Sequence, residues 1–424
     1  MLTTELHSSD GRRWLVAGLS RSDSLADPAP RAVPSLATLA EHSTGAVLFL
    51  ESGLQGAFDD SREALWPDVP AGESTFMVLV PGRTAPRADP DFGDPATSFL
   101  CSADVFSQYL AMRLDPWPQT VCFALLRAIA DGRIAVDRLL VRQLPDTRRR
   151  TLPDGAISKA LLMPHRGDPG HLRSALTYLG RTAGNSLSVG VGLDVEDASE
   201  FTGLVDMHPR VKFFQSSPAP VGPYVIRQEL AERSCEPLIC LQDSDDLSCY
   251  DRFAILTAAL AETGCGVIGS HELCLDEMRA MVYPVRYPID ASGTLAFSHS
   301  HALLHATLMA RREAFFECGG LSTDQIVAND TQFMLRAFFT TRIGNVDEFL
   351  YIRRRHPASL TNAPETECDN PLRRSLDARW SEDFEAVKRG EMKLEDSSLR
   401  PMRRREPYRM ERFVGRASSP ARVL

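Results

Sequence analysis

The stretch from about Ala160 to Arg353 narrows the fold most, because short apolar runs alternate there with segments of helical spacing. A chain patterned this way folds as an α/β sheet with crossover helices on its faces. Ala160 to Pro164 reads as a first strand, and His171 to Leu179 as the helix after it, with Leu172, Ala175, Leu176 and Leu179 on one face. Leu187 to Leu193, Val211 to Phe214 and Pro237 to Leu241 read as further strands. The last runs directly into Asp243-Ser244-Asp245-Asp246. Acidic side chains therefore sit at the carboxyl end of a strand, where open α/β sheets bind ligands.

At 424 residues the chain exceeds one typical domain, and a prior of roughly 150 residues each predicts two or three units. The polar, turn-rich run from Asp146 to Gly155 is the best linker. It divides an N-terminal α/β domain, 1–150, from a core at 155–362, which is followed by a helical, arginine-rich extension at 363–424. In that extension Ser375 to Met392 reads as an amphipathic helix. Arg400 to Leu424 reads as a solvated or loosely docked tail, open to peripheral contact with an anionic membrane.

A net charge of -9 argues against a general nucleic-acid binder, which needs a broad basic surface. The nine cysteines are odd in number and never spaced as Cys-x-x-Cys, so they read as reduced thiols of a cytoplasmic protein rather than a disulfide framework or zinc site. No run of about 18 apolar residues and no secretory leader is evident, which again predicts a cytoplasmic location.

The N-terminal unit echoes the core three times in the same order. Val47 to Gly53 matches the run from Leu238 to Asp245, Ser98 to Phe106 matches Ala306 to Phe315, and Gly132 to Arg142 matches Thr341 to Tyr351. Gly53 stands where the core has Asp245, and nothing acidic answers to Asp330, so a repeat here would be degenerate and non-catalytic. Chance likeness between two α/β units is the competing reading.

Asp243 and Asp245 are spaced so that both side chains point the same way from a strand tip. Hard carboxylate oxygens placed like this suit Mg2+ or Mn2+, with positions left open for phosphate oxygens and water. Such an acidic run also occurs in turns and helix caps. A haloacid dehalogenase type of phosphatase uses the same spacing but needs a downstream lysine, and none occurs between Lys212 and Lys388.

Taken in order, Met163-Pro164-His165-Arg166, Gly192-Leu193-Asp194, the run from Gly222 to Gln228, Leu241 to Asp246, Arg311 to Phe315, Gly319-Gly320-Leu321, Asn329-Asp330 and Leu350 to Arg353 resemble the motifs of family 2 glycosyltransferases. That resemblance, over about Ala160 to Thr361, implies a GT-A fold and non-processive, metal-dependent inverting transfer. The donor would be a nucleotide diphosphate sugar, UDP- or dTDP-linked, and the acceptor a glycan, lipid-linked or small molecule. It implies that Pro164 and Arg166 line the nucleotide, that Asp194 contacts the base and that Arg227 lies beside ribose or phosphates. Asp243 would touch ribose or metal, Asp245 would be the principal metal ligand, and Asp246 would support either. His356 would reach metal or phosphate, with a surface histidine as the alternative. Asp330 would be the base that takes the acceptor proton, with a helix-capping aspartate as the alternative.

Asn329 departs from the family's usual glutamate, and Leu321 follows the glycine pair where an aromatic is common. Gln332 and Arg336 lack the tryptophan of the processive signature. His299, His301 and His305 are close enough together to raise a zinc site or an acceptor pocket. The rival from another class is a catalytically silent nucleotide- or glycan-binding protein of the same fold. A nucleotidyltransferase is disfavoured, because Gly167 and Gly170 alone do not make a glycine-rich phosphate loop.

Overall fold

The computed structural model describes residues 3–7, 13–19, 46–51, 72–82, 90–112, 118–145, 157–182, 186–297, 301–359 and 370–415, and a few single positions between 58 and 70. It is a mixed α/β structure. Among the described residues the N-terminal part holds β1 (Thr3–His7), β2 (Arg13–Leu19), β3 (Ala46–Glu51), β4 (Thr75–Pro81), β5 (Asp91–Phe92), β6 (Ser98–Ser102) and β7 (Arg138–Leu144). Helices α1 (Ala103–Ala111) and α2 (Pro118–Ala130) precede β7. All these strands but β5 form one sheet, in the order β1-β2-β3-β6-β4-β7.

The core follows with β8 (Lys159–His165), α3 (Pro169–Leu179), β9 (Leu187–Leu193), α4 (Thr202–Met207), β10 (Lys212–Ser217), α5 (Pro223–Arg233), β11 (Leu238–Leu241), β12 (Leu247–Ser248), α6 (Arg252–Thr263), β13 (Val267–Asp276) and β14 (Met281–Arg286). Then come α7 (Ala291–Phe297), β15 (Met309–Arg311), α8 (Arg312–Glu317), α9 (Asn329–Ala337), β16 (Ile343–Arg355), α10 (Pro371–Lys388) and β17 (Arg409–Arg412). The second sheet runs β12-β16-β13-β15-β11-β8-β9-β10-β17, with β14 and β5 off the edge of β13. Strands β10, β9, β8 and β11 are mutually parallel, which sends their carboxyl ends, and the acids they carry, to one side.

Local sequence explains these elements. All seven positions of β8 are buried, as expected for an apolar central parallel strand covered on both faces. Asp168 caps α3 by accepting from the Gly170 amide at 2.7 Å, with Pro169 in the first turn. Gly192 in β9 lets α5 approach closely, since a Cβ there would collide with Ile226. That approach brings Tyr224 and Arg227 over the strand tips.

The three echoed segments fall on β3 and β11, β6 and β15, and β7 and β16. The run β3-β6-β4-β7 pairs antiparallel, antiparallel, parallel, and so does β11-β15-β13-β16. The likeness stops at β3, which pairs antiparallel with β2, whereas β11 pairs parallel with β8. Gly53 and all of the expected linker, Asp146 to Gly155, lie outside the described residues. The two sheets share an apolar layer in which Val47, Phe49 and Val141 meet Leu273, Phe349 and Ile352. A buried ion pair, Arg142 to Asp251 at 2.7 Å, crosses the same junction.

The expectation of a loosely held tail fails for the described part of it. Strand β17 pairs antiparallel with β10, and Leu399 and Met410 are buried. Arg403 donates to the Leu321 and Gly319 carbonyls and Arg404 to that of Val221, so these arginines satisfy backbone groups of the core. An arginine-rich segment docks when its guanidiniums find carbonyls and its backbone finds a sheet edge. Among its described residues, 370–415, the extension called helical holds a strand after its long helix. Eight cysteines are free thiols and seven of these are buried, while Cys368 lies outside the described residues. Among the described residues no helix is long and apolar enough to cross a membrane.

Candidate active site

The turn after β11 is fixed from beneath. Buried Gln242 accepts from Ser248 Oγ at 2.6 Å and from Arg252 at 3.1 Å, and Arg252 also donates to the Leu241 and Ala306 carbonyls at 2.8 Å each. Tyr351 Oη accepts the Asp243 amide at 3.1 Å, and Asp246 accepts the Arg354 amide at 2.8 Å. Ser244 Oγ meets His165 Nδ1 at 2.8 Å. Side chains alternate as a result: Ser244 and Asp246 point inward, at 8% and 1% exposure. Asp243 and Asp245 point outward, at 44% and 29%.

Each outward carboxylate has one cationic or imidazole neighbour. Asp243 meets the buried Arg227 guanidinium, whose Nε has no partner. Asp245 Oδ2 lies 2.9 Å from His356 Nε2, and the His171 ring stands 4.8 Å from that of His356. The dense protein around Asp243 raises its carboxyl above the ordinary value, Arg227 opposes this, and the Asp245 charge adds to it. Burial also pushes Asp245 up, but the hydrogen bond and charge of His356 outweigh it and leave Asp245 below its usual range. Asp246 is held well above, by burial first and then by Asp245 and Asp243. Three crowded acids favour a cation nearby.

Asp330 stands in the first turn of α9. Ala328, ahead of that helix, holds a left-handed φ of 60°, unusual for a residue with a Cβ. No side-chain capping bond closes this helix end; Asp330 Oδ1 instead accepts from Tyr224 Oη at 3.0 Å. Asn329 turns inward and donates to the Ser322 and Gln325 carbonyls at 3.0 and 2.8 Å. Burial pushes Asp330 up, but the imidazoles of His305 and His301, the Arg373 charge and the Tyr224 bond more than offset it, so its carboxyl lies below the ordinary value. His305 is pushed down to about 3 by burial, so Arg373 and Tyr224 are the partners that persist at neutral pH. Asp330 is near enough to Asp243 to raise it, which makes the two sides one electrostatic site.

Asp194, at the tip of β9, accepts from Ser216 Oγ at 2.7 Å and from the Val221 and Gly222 amides at 2.8 Å. It thereby shapes the loop that leads into α5, where Gly222 takes a φ of +96°. Pro164 is buried in β8 beside Gly192, and Arg166 is exposed just past the strand tip. Gln332 and Arg336 serve the tail, donating to the Ser398 and Leu399 carbonyls at 2.7 Å. His301 and His305 lie in a loop and a short 3-10 turn, not on one helix face, and His299 is outside the described residues.

Sequence reading gave no role to Tyr224, His171, Tyr351, Arg373 or Asp377. Tyr224 lies 106 positions from Asp330, and no local pattern marks that pairing. Asp377 belongs to the stretch from Ser375 that reads as an amphipathic helix, and Arg373 lies just ahead of it.

Among the described residues no set of three or more His, Cys, Asp or Glu side chains forms a ready-made metal cage. Asp245 and His356 still offer two adjoining donors, with Asp243 one alternate position away. That fits Mg2+ or Mn2+, which keep waters and take phosphate oxygens beside one or two protein ligands.

No family model matches the chain, and no curated protein matches it. Among solved structures it is similar to S. aureus TarS in complex with UDP-GlcNAc, at 15% identity and a TM-score of 0.40 over 48% of this chain and 60% of that one. It is similar to TarS with UDP at 16% and 0.41, over 57% and 77%. It is also similar to the mannosyltransferase PcManGT from Pyrobaculum calidifontis, in complex with GDP-Man and Mn2+, at 15% and 0.40 over 56% and 66%. The chain thus spans less than two thirds of the first and third of these structures. Likenesses so distant leave its chemistry to be read from its own side chains.

Proposed function

We propose that this chain is a glycosyltransferase that moves a sugar from a nucleotide diphosphate donor to an acceptor hydroxyl, with inversion. The observation that carries the reading is the facing of two carboxylate sets. Asp243 and Asp245 project from the tip of β11, and Asp330, hydrogen-bonded to Tyr224, lies close enough to act on Asp243 electrostatically.

In this reading the diphosphate lies over the tip of β11, where Arg227, held by its bond to Asp243, supplies positive charge. Asp245 and His356, with Asp243, would hold a divalent ion. When bound, that ion supplies positive charge to the departing diphosphate. Asp194 keeps roughly one free acceptor direction of about four, which suits a base N–H. Pro164 and Arg166 border the nucleotide.

Asp330 Oδ1 is held by Tyr224, which leaves Oδ2 for the acceptor hydroxyl. As the acceptor oxygen bonds to the anomeric carbon, its proton passes to Asp330 and the carbon–oxygen bond to the diphosphate breaks, its electron pair leaving with the nucleoside diphosphate. Attack from the face opposite the leaving group inverts the centre. The N-terminal unit is a degenerate partial copy of the core, without the parallel β8-β9-β10 half and its nucleotide site. The equal pairing senses of the two strand runs support this.

The test is a screen of UDP-, dTDP- and GDP-linked sugars for nucleoside diphosphate release, repeated with Asp245→Ala. Metal-dependent release that the variant loses supports the assignment. Turnover unchanged in the variant overturns the role given to Asp245. Tight nucleotide binding without any turnover favours the catalytically silent reading.

A further inference from the structure

The polar groups on the far side of Asp330 are incompletely satisfied, and they come from separate parts of the chain. His305, 7% exposed, has an Nε2 with no hydrogen-bond partner, and its ring centre lies 5.8 Å from that of Tyr224, the residue bound to Asp330. Asp377 has a buried Oδ1 that is likewise unpartnered. Arg373 lies one turn before Asp377 on α10, makes no ion pair within the described residues, and exerts its charge on both Asp330 and Asp377. Helix α10 packs on α9 through Phe384 against Phe338, with ring centres 5.2 Å apart, so the C-terminal extension lies against the helix that carries Asp330. Buried polar atoms without partners destabilise a fold, and two beside Asp330, on separate elements, call for a group that completes them.

Resting on the proposed transfer reaction, we infer that Arg373, Asp377 and His305 form the acceptor subsite, and that it takes a neutral, polyhydroxylated ring, a saccharide presented to Asp330. Adjacent sugar hydroxyls both donate and accept, so one can donate to the bare Asp377 oxygen while its neighbour accepts from Arg373. An anionic group fits less well. Arg373 stands against the two carboxylates Asp330 and Asp377, Arg227, which also acts on His305, is already paired with Asp243, and His305 is neutral at physiological pH because burial lowers it to about 3. The extension thus sets acceptor specificity in addition to closing the sheet edge.

Binding of maltose, cellobiose and glucose 6-phosphate to the full chain, followed by saturation-transfer NMR with UDP and Mn2+ present, tests the inference. Arg373→Gln and Asp377→Asn are compared with wild type, and UDP affinity and melting temperature are measured in parallel. The expected result is that a neutral disaccharide binds and each variant weakens it about tenfold or more, while UDP affinity and melting stay at wild-type values. Arg373→Lys, which keeps the charge, should recover part of the loss. Undiminished sugar binding in both variants overturns the subsite, as does the absence of any saccharide binding at about 50 mM. Tighter binding of glucose 6-phosphate than of the neutral sugars overturns the neutral class. Failure of UDP to bind counts against the donor reading instead, and the saccharide arms still decide the subsite.

Discussion

Replacing Asp330 by Asn separates base chemistry from donor binding. Asn can still accept from Tyr224 Oη through its own Oδ1, a bond of 3.0 Å in the native chain, so no buried hydroxyl is orphaned and the fold should hold. The lost function is proton removal. A positioned general base contributes roughly 100- to 10,000-fold, so kcat should fall about a thousandfold, or ~4 kcal/mol in the barrier. Donor affinity should move the other way or not at all: the native carboxylate adds to the negative crowding at Asp243, and neutralising it makes a diphosphate no less welcome. Single-turnover measurement of nucleoside diphosphate release, with calorimetry of UDP binding, reads both quantities. A kcat within about threefold of wild type would refute the base assignment. So would a loss of donor affinity as large as the loss of rate, because Asp330 would then belong to the donor site.

Asp330 is held below its ordinary value, so the base should stay ionised at all working pH, and kcat should show no acid limb from this group above about pH 5. Its activity is lost only as pH falls through that lowered value. Tyr224→Phe removes one lowering contact and should shift the limb upward; a kcat–pH profile checks both. Asp251→Ala leaves Arg142, at 1% exposure, with Asp68 alone, and should cost about 3 kcal/mol in urea unfolding. Gly192→Ala drives a methyl into Ile226 and should cost ~1–3 kcal/mol while displacing the helix that carries Tyr224 and Arg227, seen as lowered thermal stability with weakened nucleotide binding.

The central sheet was largely legible because buried parallel strands read as unbroken apolar runs. The expected run from Leu187 to Leu193 coincides with β9, and Ala160 to Pro164 lies within β8. The acids after β11 were also visible, since strand tips are short-range features. The other side of the site was not. The pairing of Tyr224 with Asp330, and the approach of Arg373 to both, depend on packing between distant helices, and no spacing rule reports that. The tail was misread for a related reason: an arginine-rich composition does not say whether guanidiniums face water or carbonyls, and Arg403 and Arg404 face carbonyls. Gln332 and Arg336, which resembled part of a polymerising signature, hold that same tail.

The most direct test of the whole account is calorimetric titration of the intact chain with UDP and with dTDP, with and without Mn2+, in wild type and in Asp245→Ala. Wild type should bind one of the two nucleotides, Mn2+ should tighten this at least about tenfold, and the variant should lose the metal effect. Binding indifferent to metal in both proteins, or a metal effect that survives the substitution, would contradict this.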